Sequence, residues 1–398
     1  MQSLYFGNFE QNVKPMFTKY TQRLLVIIAV SLLSSFITTA QNSVVQKYET
    51  RNVYAGIEVG SKGVKMSMVE LDKRAGDEGE FKIQKDTSIN TDFISFTQPT
   101  YQATLAALNR LYEIAVKENK IPVANIFTAI SSGVNIQAQK EDKKIWIDQL
   151  INAFRLYNNE PDRKVAVIDV VEEARLSHLG IVPESRRYNT FLIDIGSGNT
   201  KGGYFPYGTT KDFRLFQLTW GTKSTFNAAE KMLGEDKGLE NFNSQLNRVL
   251  AGAENNEIVY AVNASGAFPK SDNIAFSGGI AWAVATLIVP ELNDNAVVAV
   301  TYDEVLGFTE KLASNPSLYS DYYLVKTLPE NSVDTEKLGR DVKQVNKVFD
   351  QRALLAGAGL LLKIMRQFDG VVERKKFYLV KNGSVGWISA YVKQHVAK

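Results

Sequence analysis

Two stretches of the chain share one pattern of apolar and polar positions. In "GIEVGSKGVKMSM" (56–68) and "LIDIGSGNTKGGY" (192–204) an apolar strand ends on an acid, turns through glycines and leaves through a lysine into a second strand. Aligning them sets Ile57 on Ile193, Glu58 on Asp194, Gly60 on Gly196, Ser61 on Ser197 and Lys65 on Lys201, each lysine seven residues beyond its acid. Similar patterns surround each copy. After the first, "FKIQKDT" and "FISFTQ" are expected to continue the sheet. "TYQATLAALNRLYEIAVKE" has helical spacing behind a threonine cap, Thr97 or Thr100. "ANIFTAI" and "KVAVID" read as short buried strands with a helix around "KKIWIDQLINAFRLY" between them, and "VEEARLSHLG" as a helix ended by Gly180.

After the second copy, "FRLFQLTW" completes a meander, with helices near 224–233 and 241–251. "NEIVYAVNAS" and "DNIAFSGG" read as strands, followed by a helix from Gly279 and a long apolar helix in "FDQRALLAGAGLLLKIMRQF". The polar stretch Pro183–Asn189 is the expected boundary, giving lobes over 50–187 and 188–398. A repeat in matching surroundings predicts an α/β fold of two related lobes with mixed sheets facing a central cleft.

Composition narrows the class. At 398 residues, 44% hydrophobic and 22% charged, the chain is long enough for two ordinary cores. The formal charge of +3 is spread without a basic stripe, which argues against a nucleic-acid partner. "KYTQRLLVIIAVSLLSSFITTAQN" has the layout of a secretory signal, bases before an apolar run and small residues ending at Ala40. Its serines and threonines make it too polar for a comfortable membrane span. Residues 1–40 are therefore expected to be removed near Gln41, with Met16 an alternative start, and no membrane attachment is expected after cleavage. Loss of Lys14, Lys19, Arg23 and Glu10 would take the charge from +3 to +1. With no cysteine there is no disulfide framework and no thiolate metal site. The expected location is periplasmic or secreted, and a homodimer is the oligomer considered.

The paired turns suggest phosphate chemistry. Turn glycines let backbone amides approach an oxyanion, an acid at a strand end suits a hydrated divalent ion, and a lysine adds a point charge to the same anion. Each turn alone reads equally well as a plain hairpin. Of the two histidines, His178 lies one turn after Glu173 and is placed near the cleft, although a partly buried structural role is the commoner one. Trp220 and Trp282 read as core, and Arg374–Lys376 as a solvated basic turn.

From about Tyr54 to Phe368 the chain resembles the actin-like (ribonuclease H-like) phosphotransferase superfamily, and within it the exopolyphosphatase/guanosine pentaphosphate phosphatase (Ppx/GppA) family. The two turn segments resemble that family's phosphate loops, "VEEARLSHLG" its helix with the catalytic glutamate, and "FQLTWGTKSTFNAAEKML", "IAFSGGIAWAVA" and "RALLAGAGLLLKIM" its later motifs. The resemblance implies release of orthophosphate from polyphosphate or a related phosphoanhydride, with Glu173 activating water. It implies phosphate contacts from Gly60, Ser61, Lys62, Lys65, Gly196, Ser197, Gly198, Asn199, Lys201, Gly278 and Gly279, and Mg2+ held by Glu58 and Asp194.

The departures from the family pattern fall on that shell. Glu58 stands for an aspartate, Lys62 and Gly63 for a polar pair, and Ser197 and Asn199 for a glycine and a serine; Lys201 replaces a metal-binding glutamate. An arginine expected after "NIFTAI" is missing from "SSGVNIQAQ". Lys201 at this spacing also resembles the phosphate-binding lysine of actins. The alternative is thus a catalytically degenerate module that binds phosphate chains or nucleotide, and a nucleotide-dependent filament is a third reading.

Overall fold

The computed structural model describes residues 52–71, 82–328, 334–370, 374–381, 383 and 386–396. The expected signal, residues 1–40, lies outside them. Among the described residues no helix is long and apolar enough to cross a membrane.

The first sheet is built from β1 (Val53–Val59), β2 (Gly63–Glu70), β3 (Lys82–Asn90), β4 (Ile126–Ile130) and β5 (Val165–Val167), in the order β3-β2-β1-β4-β5. β1, β2 and β3 form an antiparallel meander, while β4 and β5 add in parallel to β1. Four helices accompany it: α1 (Gln98–Glu113), α2 (Ser132–Lys140), α3 (Lys144–Tyr157) and α4 (Val170–Ile181). β1 is buried along almost its whole length, as expected of a central strand covered on both faces. α1 begins at Thr97, which shares a reciprocal capping box with Thr100, so both threonines singled out in the sequence serve the same helix end.

The second sheet repeats the plan. β6 (Thr190–Ile195), β7 (Thr200–Tyr204), β8 (Arg214–Leu218), β9 (Asn273–Ser277), β10 (Val297–Val300) and β11 (Lys376–Val380) lie in the order β10-β11-β9-β6-β7-β8. Its meander β6-β7-β8 and parallel neighbour β9 correspond to β1-β2-β3 and β4. Around it stand α5 (Thr222–Lys231), α6 (Leu239–Ala253), α7 (Val259–Ser265), α8 (Gly279–Ile288), α9 (Tyr302–Ser314), α10 (Asp321–Thr327), α11 (Thr335–Val348) and α12 (Gln351–Met365). A last helix, α13 (Gly386–Val396), was expected with the second lobe but packs on β1 and α4 of the first. The strand register reproduces the sequence repeat, because Glu58 faces Lys65 across β1–β2 and Asp194 faces Lys201 across β6–β7.

Three local expectations are corrected. "FISFTQ" is not a strand: Phe93–Ser95 form a short 3-10 turn that sends Phe93 and Phe96 into the core, three residues apart with their rings edge to face at 5.7 Å. "NEIVYAVNAS" is helical, a π-turn (Glu254–Ile258) carrying α6 into α7. Its β-branched residues suggested a strand, but Ile258 and Val262 are buried four residues apart, the period of a helix face. Gly180 does not end its helix, which runs to Ile181.

Gly180 instead permits a close helix crossing. A Cβ there would lie 2.0 Å from the carbonyl oxygen of Gly386, and one on Gly386 would lie 2.4 Å from Ile181 Cγ1. α4 and α13 therefore touch through backbone, which brings α13 down onto the first sheet. Arg175 of α4 adds a hydrogen bond to Gln394 of α13 at 2.7 Å. Gly180→Val is expected to lower stability by about 2 kcal/mol or more through overpacking, whereas Gly252→Ala, where a Cβ meets open space, should be neutral or stabilising. Thermal denaturation of the two variants checks this, and equal melting temperatures would contradict the crossing.

Candidate functional site

The site forms where β1, β4, β6 and β9 end. Each repeated turn closes on a single hydrogen bond: the Gly60 amide donates to the Gly63 carbonyl at 2.8 Å, and the Gly196 amide to the Asn199 carbonyl at 3.0 Å. Ser61 Oγ lies against Gly133 at the start of α2. The second turn is also clamped from outside. The Thr222 amide donates to Gly196 O at 2.9 Å and the Lys223 amide to Ser197 O at 2.8 Å. The first amides of α5 thus hold the turn instead of facing the cleft, while the Cα of Gly198 faces open space. Gly278 has φ 95° and sits so close to β6 that a Cβ would lie 2.3 Å from Ile195 O and 3.0 Å from Asp194 Oδ1. Gly279 begins α8 with its Cα turned toward the Phe349 ring.

The acids and lysines at the centre range from buried, Glu58 and Glu173, to half-buried, Lys65, Asp194 and Lys201. α4 starts at Asp169, whose carboxylate accepts the Glu172 amide at 2.8 Å. This start leaves Glu172 paired with Arg175 and turns Glu173, only 3% exposed, inward. Glu173 Oε2 accepts the Ser132 amide at 2.6 Å, and Oε1 forms an ion pair with Lys201 Nζ. The Ser132 amide belongs to the first turn of α2, where amides lack helical partners and the dipole favours an anion. A glutamate of the first lobe is thus held by a helix end of its own lobe and by a lysine of the second.

The electrostatics follow from this contact. Burial works to protonate Glu173, but Lys201 and the Ser132 hydrogen bond outweigh it and hold its pKa below the usual carboxylate range. Burial likewise works against the Lys201 ammonium, yet Glu173, Asp194 and Glu58 together raise its pKa. Asp194, half-buried behind them and accepting Ser277 Oγ at 3.0 Å, is pushed up chiefly by burial. Burial likewise pushes Glu58 up to about 7 despite the attraction of Lys65, and its Oε2 accepts the Trp387 indole N–H at 3.1 Å.

Lys62 of the first turn and Lys223 of α5 are both exposed, and the charge of Lys223 acts on Lys62 from the other lobe. Partial burial first, and then Lys223, hold the Lys62 ammonium below the ordinary lysine range. The repeat therefore brings together Glu58, Lys65, Asp194 and Lys201 at the centre, and Lys62 at the rim. Ser132, Ser277, Lys223 and Trp387 were not found in the sequence. Ser132 had a signal, as the first helical residue after a parallel strand, where ligand crevices open. Trp387 had none, since 329 residues separate it from Glu58.

His178 does not face the cleft. It is fully buried, donates from Nε2 to Thr190 O at 3.0 Å and packs against Phe205 at 4.9 Å. Burial lowers its pKa to about 4. Trp387 is core, while Trp220 and Trp282 pack half-buried at the core margin. Lys375 is also buried, with its ammonium over the Phe268 ring at 4.6 Å, so the 374–376 stretch is only partly the solvated turn expected.

A divalent ion does not fit the donor set as arranged. Glu58 is turned to Trp387, Asp194 to Ser277 and Glu173 to Ser132, while an ammonium occupies the space among them. Among the described residues no group of three or more His, Asp or Glu converges as metal ligands.

Two repeated lobes with this strand order and paired acid–turn–lysine segments define an actin-like, ribonuclease H-like fold. More closely, the fold is that of the Ppx/GppA phosphatases. A Ppx/GppA phosphatase of Aquifex aeolicus superposes over 86% of this chain and 98% of its own, with TM-score 0.57 and 15% identity. An exopolyphosphatase from Cytophaga hutchinsonii matches 86% of this chain and 98% of its own at TM-score 0.52 and 10% identity. An exopolyphosphatase-like protein matches 86% and 99% at TM-score 0.53 and 14% identity. At these identities the likeness establishes the fold. No protein-family model matches the chain, and no curated protein is similar to it in sequence.

Two measurements test the electrostatics. Lys201→Met strands Glu173 as an unpaired buried charge and is expected to cost about 3–5 kcal/mol. Adding Glu173→Gln should return much of it, giving a coupling of about 1–3 kcal/mol in a denaturant double-mutant cycle. Additive losses would contradict the pairing. Glu58 titrates near 7 when folded and near 4.5 when unfolded, so between these values the folded state binds more protons and stability falls as pH rises. Relative to Glu58→Gln, the native chain should therefore lose up to a few kcal/mol between about pH 4.5 and 7.5. Glu173 acts oppositely, its contribution being present above 4.5 and lost as pH falls through its lowered pKa. Denaturation across pH checks the Glu58 sign, and a constant difference between the two proteins would refute it.

Proposed function

We propose that this protein is a Ppx/GppA-fold module that binds a phosphate chain or nucleotide-type polyanion between its lobes without hydrolysing it. The observation that carries this reading is the engagement of both Glu173 oxygens, one with the Ser132 amide and one with Lys201. A general base needs a free lone pair and a pKa near the working pH. Glu173 lacks the second, since Lys201 and the Ser132 amide hold its pKa below the carboxylate range, and both of its oxygens already accept donors. The rim supports binding: Lys62 and Lys223 are exposed cations whose charges oppose one another, a repulsion that an incoming polyanion would relieve. Attraction of this kind strengthens ground-state binding and does not itself accelerate a reaction. With residues 1–40 read as an export signal, binding would take place in the periplasm or outside the cell.

Hydrolysis with Glu173 as the base is the competing function implied by the fold, and it is separable by experiment. The native chain should bind long-chain polyphosphate with an affinity that falls steeply with salt, and release no orthophosphate with or without magnesium. Lys62→Ala and Lys223→Ala should each weaken binding by roughly tenfold. Titration calorimetry and a phosphate-release assay check both halves. Orthophosphate release abolished in Glu173→Gln would overturn the reading in favour of a hydrolase.

A further inference from the structure

The central charges support a statement about cation chemistry that concerns the same site as the proposed binding function. Glu58 and Glu173 are buried and Asp194 is half-buried, and each acts on one ammonium, that of Lys201. Glu173 pairs with it directly, and Asp194 faces it across the β6–β7 ladder. Three carboxyl groups from two lobes whose charges act on one cation resemble the electrostatics of a metal centre, but here the cation is covalently part of β7 and pairs directly with Glu173. We propose that Lys201 is a resident cation that takes the place of a divalent metal, so that the cleft closes and binds phosphate groups without a metal ion.

Three observations support this. The Lys201 side chain is mostly buried, and its ammonium contacts the most enclosed carboxylate of the site. Each carboxyl group also accepts from a protein donor, Glu173 from Ser132 N–H, Asp194 from Ser277 O–H and Glu58 from Trp387 N–H, which turns one oxygen of each away from a common centre. Bringing a divalent ion to the same place would set it against a fixed positive charge within a few ångströms, in a medium where such repulsion is strong. The pairing also bridges the lobes, since Glu173 lies on α4 and Lys201 on β7. A tethered ammonium therefore does for lobe closure what a soluble ion would do only at sufficient concentration.

The same arrangement specifies how metal binding would be created. Replacing Lys201 by a carboxylate or a neutral side chain removes the internal cation and leaves three acids that need a counter-charge. Mn2+ is the probe, read by loss of its free electron-paramagnetic-resonance signal and by its effect on melting temperature, both independent of any enzymatic activity. The native full chain is expected to leave the Mn2+ signal and its own melting temperature unchanged. Lys201→Glu should bind one Mn2+ roughly 100-fold or more tighter than the native chain and be stabilised by it. Should Lys201→Glu fail to fold, Lys201→Gln serves the same purpose, with Mn2+ raising its melting temperature. Lys201→Arg, which keeps the charge, should remain indifferent to Mn2+. Binding of one Mn2+ by the native chain that Asp194→Asn abolishes would overturn the proposal, as would failure of both Lys201→Glu and Lys201→Gln to gain Mn2+. A second arm measures polyphosphate affinity with EDTA and with magnesium, and equality within about twofold is expected. Absence of polyphosphate binding would refute the binding function alone, because the Mn2+ arm judges the resident cation by itself.

Discussion

The ion pair between Glu173 and Lys201 is the contact on which the two lobes and the chemistry of the cleft both depend. It joins α4 of the first lobe to β7 of the second, deep enough that neither charge is well hydrated. Burying two charges is unfavourable unless each finds close partners. Here Glu173 has the Ser132 amide as well as the ammonium, and Lys201 has Asp194 and Glu58 behind its nearest partner. The pair therefore links the two lobes across the cleft. It also decides what Glu173 can do, because a carboxylate held by a helix end and an ammonium is a poor proton acceptor. Closure and loss of basicity come from one interaction.

Two copies of one strand–turn–strand segment have been put to different uses. In the first, Glu58 faces Lys65 but turns its carboxyl to Trp387, so burial dominates and its proton is retained to near neutrality. In the second, Asp194 lies behind Lys201 and is tied to Ser277, while the lysine reaches across to Glu173. The crossing of α4 and α13 at Gly180 and Gly386 links these uses. It draws the last helix of the chain back onto the first sheet, and Trp387 with it, which supplies the donor that Glu58 needs. The second turn is held by amides of α5, and the first by its own hairpin bond and by the Thr91 and Asp92 amides, which donate to Lys62 O.

Much of this was legible in the sequence because the repeat is local. Glu58 and Lys65, and Asp194 and Lys201, stand at spacings that a hairpin converts directly into facing positions, so the lobes, their meanders and the central charges could be read from order alone. Glu173 was identified by resemblance, but its direction was not legible: next to Glu172 on the same helix, only packing decides which of the two turns inward. The partners that define the site lie far off in sequence. Ser132 was marked only by its place at a helix start after a parallel strand, and Lys223 and Trp387 carry no pattern that marks them, since a lysine in the first turn of a helix and a tryptophan in a short helix each have ordinary readings. The helical fate of "NEIVYAVNAS" was missed for a related reason, because β-branched content outweighed a helix period that only burial reveals.

The central claim is that Glu173 is held ionised by Lys201 and Ser132. The most direct measurement is the carboxyl carbon resonance of Glu173 as a function of pH in protein labelled with carbon-13 glutamate, assigned by its disappearance in Glu173→Gln. The resonance is expected to stay at its ionised position as pH falls through 4.5 and to move only below it. A Glu173 resonance that titrates at or above 4.5 would show a carboxyl free to take a proton, and would contradict the account.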